Sequence, residues 1–155
     1  MGISDEFLPF IPKELCEKAQ SINQQSFKPE KLTCESFQNA AKNLLERYKN
    51  EAKLIITSAL HCAAPCTAMG IPVILCRAND EQLTRFSALD KILPIYTLDD
   101  FKKKRVDFSF NAPNIEPLKR AMLDNLRLSL DESRGANIDL ANLAKCKEII
   151  RDFKV

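Results

Sequence analysis

A chain of 155 residues is one domain's worth of protein, with enough length to bury a real hydrophobic core. Its 45% hydrophobic and 28% charged residues describe an ordinary globular protein, and a net charge of +2 is too small to argue for a nucleic-acid partner. No apolar segment reaches the roughly 20 residues that cross a bilayer, so no membrane span is expected.

The first residues, "MGISDEFLPF", lack the basic and apolar regions of a signal peptide. The six cysteines therefore read as reduced thiols of a cytoplasmic protein rather than as a disulfide framework. The first 33 residues are loop-rich, with Pro9, Pro12 and Pro29. A short helix is expected from Pro12 to about Ala19, with proline in its first turn, and a brief extended piece around Ser21–Phe27. Between Cys34 and Tyr48 the apolar positions Phe37, Ala40, Ala41, Leu44, Leu45 and Tyr48 follow helical spacing, with Thr33 as the expected cap.

"KLIITS" then reads as a short strand buried on both faces, since it shows no alternation. "LHCAAPCTAM" reads as a helix. Proline is tolerated in a first turn, so with Pro65 early in it this helix is expected to begin near Leu60 or His61. Gly70 suits the position just past the helix, and Pro72 marks the stop. "PVILC" is the next buried strand. Helix, strand, helix and strand with tight connections predict a βαβ unit, a parallel sheet and an α/β fold. Later elements are a helix over Asp80–Leu89, a short "PIYT" strand, and a helix over Leu98–Lys103. The "KKKR" run at Lys102–Arg105 reads as a solvated helix end. A long helix over Ile115–Glu132 is expected to align Ile115, Leu118, Met122 and Leu126 in one stripe, and a last helix runs from about Leu140 to Phe153.

His61 is the only histidine in the chain. In an open parallel sheet, ligands bind beyond the carboxyl ends of the strands, where loops lead into helix N-termini. Thr57 and Ser58 bring hydroxyls to such a strand tip, suited to capping or to binding an oxyanion. His61 falls in the first helical turn, where free N–H groups and the helix dipole favour an anion. Small residues at Ala63, Ala64 and Ala68 allow the helix to pack closely on the sheet. A lone histidine early in a helix also reads as a partly exposed residue bonded to a carbonyl, and spacing does not choose between these readings. Cys62 and Cys66 extend His61 into H-C-x-x-x-C. Structural zinc takes paired short-spaced motifs and no second pair is present, so both cysteines are expected to be buried small hydrophobes, with no metal.

The stretch "LLERYKNEAKLIITSALHCAAPCTAMGIPVILCRANDEQLTRFSALDKILPIYT" resembles the C-terminal half of the polysaccharide pyruvyl transferase family. The family pattern is a helix with "Y-x-x-A", then "lViTSRLH", a small-residue helix and "GxPVi". The likeness covers roughly Phe37 to Tyr96, and "NLRLSLDE" downstream is also similar. It implies a Rossmann-like parallel sheet flanked by helices, as in one half of a GT-B fold. The chain then forms a single domain over 1–155, with a helical C-terminal region over about 97–155. It further implies transfer of a pyruvyl group from phosphoenolpyruvate onto a pair of sugar hydroxyls in cell-surface polysaccharide biosynthesis, with phosphate released and no separate cofactor. Partners under this reading are phosphoenolpyruvate and a saccharide acceptor. His61 matches the family histidine and Leu60 its leucine, while Ala59 stands where the family has arginine. An arginine grips carboxylate or phosphate in two places, and losing such a contact typically costs about 2–5 kcal/mol. Arg77 and Arg85, which follow the strand "PVILC", are the candidates to replace it.

A complete enzyme of this kind needs about twice the length, so an N-terminal half elsewhere or a second copy is expected to complete the cleft. Three functional readings stay open on sequence. They are half of a pyruvyl transferase, with His61 also the general acid toward leaving phosphate; half of a nucleotide-sugar glycosyltransferase; and a noncatalytic assembly domain or remnant, in which an unpaired sheet edge favours a homodimer.

Overall fold

A computed structural model describes residues 3–22, 33–77 and 89–154. The elements in chain order are a 3-10 turn at Asp5–Phe10 and helices α1 (Lys13–Lys18) and α2 (Cys34–Glu51). They are followed by strand β1 (Ile55–Thr57), helix α3 (Leu60–Ala68), strand β2 (Val73–Arg77) and strand β3 (Ile95–Thr97). Helices α4 (Leu98–Lys102), α5 (Glu116–Ser133) and α6 (Leu140–Asp152) complete the chain. These elements fall into two compact units, Met1–Pro113 and Asn114–Val155.

The first unit is built on a three-stranded, all-parallel sheet in the order β1-β2-β3, flanked by helices. Val73 pairs with Ile55 and Leu75 with Thr57 on one side, while Leu75 pairs with Ile95 and Arg77 with Thr97 on the other. Central β2 is buried along its whole length, as its unbroken apolar run predicts. Its side chains alternate between two cores. Val73 and Leu75 pack with Tyr48 of α2, Cys62 and Cys66 of α3, and Leu89 and Leu93. Ile74 and Cys76 face the opposite way, among Phe7, Ile11 and Phe101. Phe101 sits edge-on to Phe7 at 5.0 Å and to Phe108 at 6.1 Å between ring centres, a favoured aromatic geometry.

β1 departs from its expected burial on both faces, because Ile55 and Ile56 are only half-buried. Among the described residues it is an edge strand, with a paired neighbour on one side alone. α3 begins at Leu60 as expected, but Pro65 is its sixth residue and lies past the first turn. Having no N–H, Pro65 cannot bond the His61 carbonyl one turn back. The helix ends as foreseen. Gly70 takes φ 77°, its N–H bonds the Thr67 carbonyl, and the Ile71 N–H bonds that of Cys66. This is a Schellman stop with an apolar residue closing over it. Thr33 caps α2 in a reciprocal box with Ser36. The helix expected over Asp80–Leu89 falls almost wholly outside the described residues, as does most of the extended piece expected at Ser21–Phe27.

The second unit is a hairpin in which α5 packs on α6. Gly135, at φ 78°, ends α5 with the same two-bond stop, and Asp139 caps α6 through the Asn142 N–H at 3.0 Å. Leu118 and Ala121 of α5 are buried, as are Leu143 and Cys146 of α6. Met122 and Leu126, expected in one stripe with Ile115 and Leu118, are instead 53% and 57% exposed. The buried line runs through Leu118 and Ala121 to half-buried Asn125 and Leu128. Met122 and Leu126 each lie about 100° further round the helix from that line.

Candidate functional site

β1 delivers Thr57 to the carboxyl end of the sheet, and α3 begins three residues later at Leu60. Ala59 is the N-cap residue, in extended conformation at φ −98° and ψ 117°, and no side chain caps the helix. The Cys62 and Ala63 N–H groups both turn back onto the Ala59 carbonyl, each at 3.0 Å. The N–H groups of Leu60 and His61 are left at the tip, in the position where a helix attracts an anion.

The sequence-predicted residues take different places around this tip. His61 is exposed in the first turn. Ser58 is half-buried beside it, and Leu60 packs inward against the Val73 and Leu75 core, anchoring the start of the helix. Thr57 is buried, and its hydroxyl accepts the Ala59 N–H at 3.1 Å, so it shapes the turn from within. Arg77 ends β2 and is buried, in register with Thr97 and two residues past the pairing of Leu75 with Thr57. It therefore lies on the same edge, about 7 Å further along the strand direction. Arg85 lies outside the described residues.

Both cysteines of the H-C-x-x-x-C string are buried, and they form a polar cluster that the sequence reading did not foresee. The Cys66 thiol bonds the Cys62 sulfur and holds the Cys62 thiol below its ordinary range. Burial pushes the other way, and the Tyr48 and Thr57 hydroxyls add bonds that keep it low. The same thiol–thiol bond, together with burial, raises Cys66. Helical spacing placed Cys62 and Cys66 on one face; that Tyr48 and Thr57 would reach the same sulfur follows only from tertiary packing. On the far side of the sheet burial alone pushes the Cys76 thiol up to about 12.

A second strand tip lies on the same edge. Thr97 ends β3 and caps α4, its hydroxyl accepting the Asp100 N–H at 3.3 Å. Asp100 returns the bond, its carboxylate accepting the Thr97 N–H at 2.9 Å and hydroxyl at 2.7 Å. These bonds from Thr97, with Arg105 nearby, hold the Asp100 carboxyl below its usual range. T-x-x-D just before an apolar residue is the sequence signal that would have located this box.

Among the described residues, no three His, Cys, Asp or Glu side chains come together as a metal site, and no helix is long and apolar enough to cross a membrane. No family model, curated protein or solved structure matches this chain.

Proposed function

We propose that the start of α3 binds the phosphate or carboxylate of a phosphoenolpyruvate-like donor, and that the chain is the donor half of a pyruvyl transferase with GT-B ancestry. The observation that carries this reading is the uncapped first turn of α3 at the carboxyl end of β1, with exposed His61 in it. The chemical identity of the donor rests on the resemblance of the "TSALH…GIPVILC" stretch to the pyruvyl transferases.

The Leu60 and His61 N–H groups and the Ser58 hydroxyl hold the anion, and the imidazolium form of His61 adds charge. Arg77 takes the place of the arginine that Ala59 lacks, while Thr57 and Leu60 position the turn. In the reaction a proton goes to the methylene carbon of the donor, and one sugar hydroxyl adds to the neighbouring carbon. The second hydroxyl then displaces phosphate, whose bridging oxygen takes its proton from His61 as general acid. The base that deprotonates the sugar comes from a second half or a second copy.

The test is a calorimetric and thermal-shift titration with phosphoenolpyruvate, using inorganic phosphate and uridine and guanosine diphosphate sugars as controls. Saturable stabilisation by phosphoenolpyruvate, lost in His61→Ala and strengthened in Ala59→Arg, is the expected result. Stabilisation by a nucleotide sugar alone moves the protein to the glycosyltransferase class. No response to any ligand leaves His61 an ordinary helix-start residue in a noncatalytic domain.

A further inference from the structure

The second unit carries more apolar surface than its hairpin covers. On α5, Met122, Leu123, Leu126 and Leu130 are 53%, 66%, 57% and 46% exposed. These values are high for neighbouring large side chains on one helix, and contiguous exposed apolar surface marks an interaction site. At about 100° per residue, Leu123, Leu126 and Leu130 fall within an arc of about 60°. Their spacing of three and then four residues is that of a coiled-coil seam.

Charge borders this seam in one row. Arg120, Arg127 and Arg134 recur at seven-residue intervals along one flank of the leucines. All three are exposed, and among the described residues none has an ion-pair partner, whereas Lys119 pairs with Glu116. In coiled-coil terms they occupy the flanking position whose charge selects the partner.

We propose that this face of α5 docks an acidic amphipathic helix of a partner protein. The leucines of that helix pack on Leu123, Leu126 and Leu130, and its carboxylates meet Arg120, Arg127 and Arg134. A second copy of α5 fits poorly, since antiparallel pairing about Leu126 sets Arg127 against its own counterpart and Arg120 near the Arg134 counterpart. An anionic bilayer fits poorly too. Asp124 and Asp131 lie just beyond the arginine row, where a flat negative surface would meet them.

The experiment uses the full chain and a three-heptad helical peptide with Leu at its core positions and Glu at its flanking positions. A peptide with Lys in place of Glu serves as the control, and binding is read by fluorescence anisotropy. The Glu peptide is expected to bind saturably and the Lys peptide not. Leu126→Asp abolishes binding. Arg127→Glu, at an exposed position that leaves the fold intact by circular dichroism, weakens the Glu peptide about tenfold and gains affinity for the Lys peptide. Equal binding of the two peptides, or binding of neither, overturns the proposal. So does capture by phosphatidylserine vesicles that exceeds peptide binding, or concentration-dependent dimerisation in the ultracentrifuge that Leu126→Asp removes.

Discussion

Two strands of the sheet end in threonine, each is followed within three residues by a helix, and the two helix starts differ. At β3, Thr97 spends its hydroxyl on α4 and Asp100 closes the box, so that helix start is already occupied by its own side chains. At β1, the Thr57 hydroxyl turns inward to the Ala59 N–H and the Cys62 sulfur, and the first turn of α3 has no side-chain cap. The lesson is that a strand-end threonine does not by itself make or fill an anion site. What decides is the residue in the cap position: alanine before α3, and threonine itself before α4.

The largest expected effect tests whether each helix depends on its own side of the sheet. Leu75→Ala removes buried volume behind α3 and Ile74→Ala does so beside Phe101 of α4, and each should cost about 2–5 kcal/mol in denaturant unfolding. Amide exchange should rise first in α3 for Leu75→Ala and first in α4 for Ile74→Ala. Equal loosening of both helices by either variant would show that they do not rest on separate cores.

Exchanging the caps comes next. Thr97→Ala should destabilise by about 1 kcal/mol, whereas Ala59→Asp should stabilise by a similar amount and abolish anion binding at α3, since its carboxylate takes the place the anion would hold. If Ala59→Asp leaves phosphoenolpyruvate binding unchanged, the anion lies elsewhere.

The smallest effect is its pH dependence. The folded-state pKa of Asp100 lies below its unfolded value, so its stabilisation is present above about pH 4 and disappears as the pH falls through the folded value. The difference between wild type and Thr97→Ala should therefore shrink between pH 7 and about pH 3. The same acid loss should appear at α3 only in the Ala59→Asp variant, whose new carboxylate is the first titratable cap there.

The α/β class, the parallel βαβ unit and most helix bounds were legible because each rests on a local signal. The apolar run of β2, the Gly70–Pro72 stop and Thr33 before α2 are examples. The half-burial of β1 was not, because an edge strand and a central strand share the same composition and differ only in how many neighbours pair with them. His61 at the start of α3 was also legible, from the glycine and proline that bound the helix downstream and the strand that precedes it. The inward turn of Thr57 was not, since its hydroxyl reaches Cys62 only once α3 folds back over the sheet.

By itself the sequence determined most of the helices and strands of the described residues, where α3 and α5 stop, and that one histidine would stand in the first turn after a strand. Each of these follows from backbone preferences and caps acting within a few residues. Only the tertiary structure decided which face of each helix is covered. The Met122 and Leu126 stripe has the same periodicity as a buried one, yet it stays open because α6 packs against Leu118 and Ala121. Periodicity specifies an apolar face, but burial depends on which neighbour arrives to cover it.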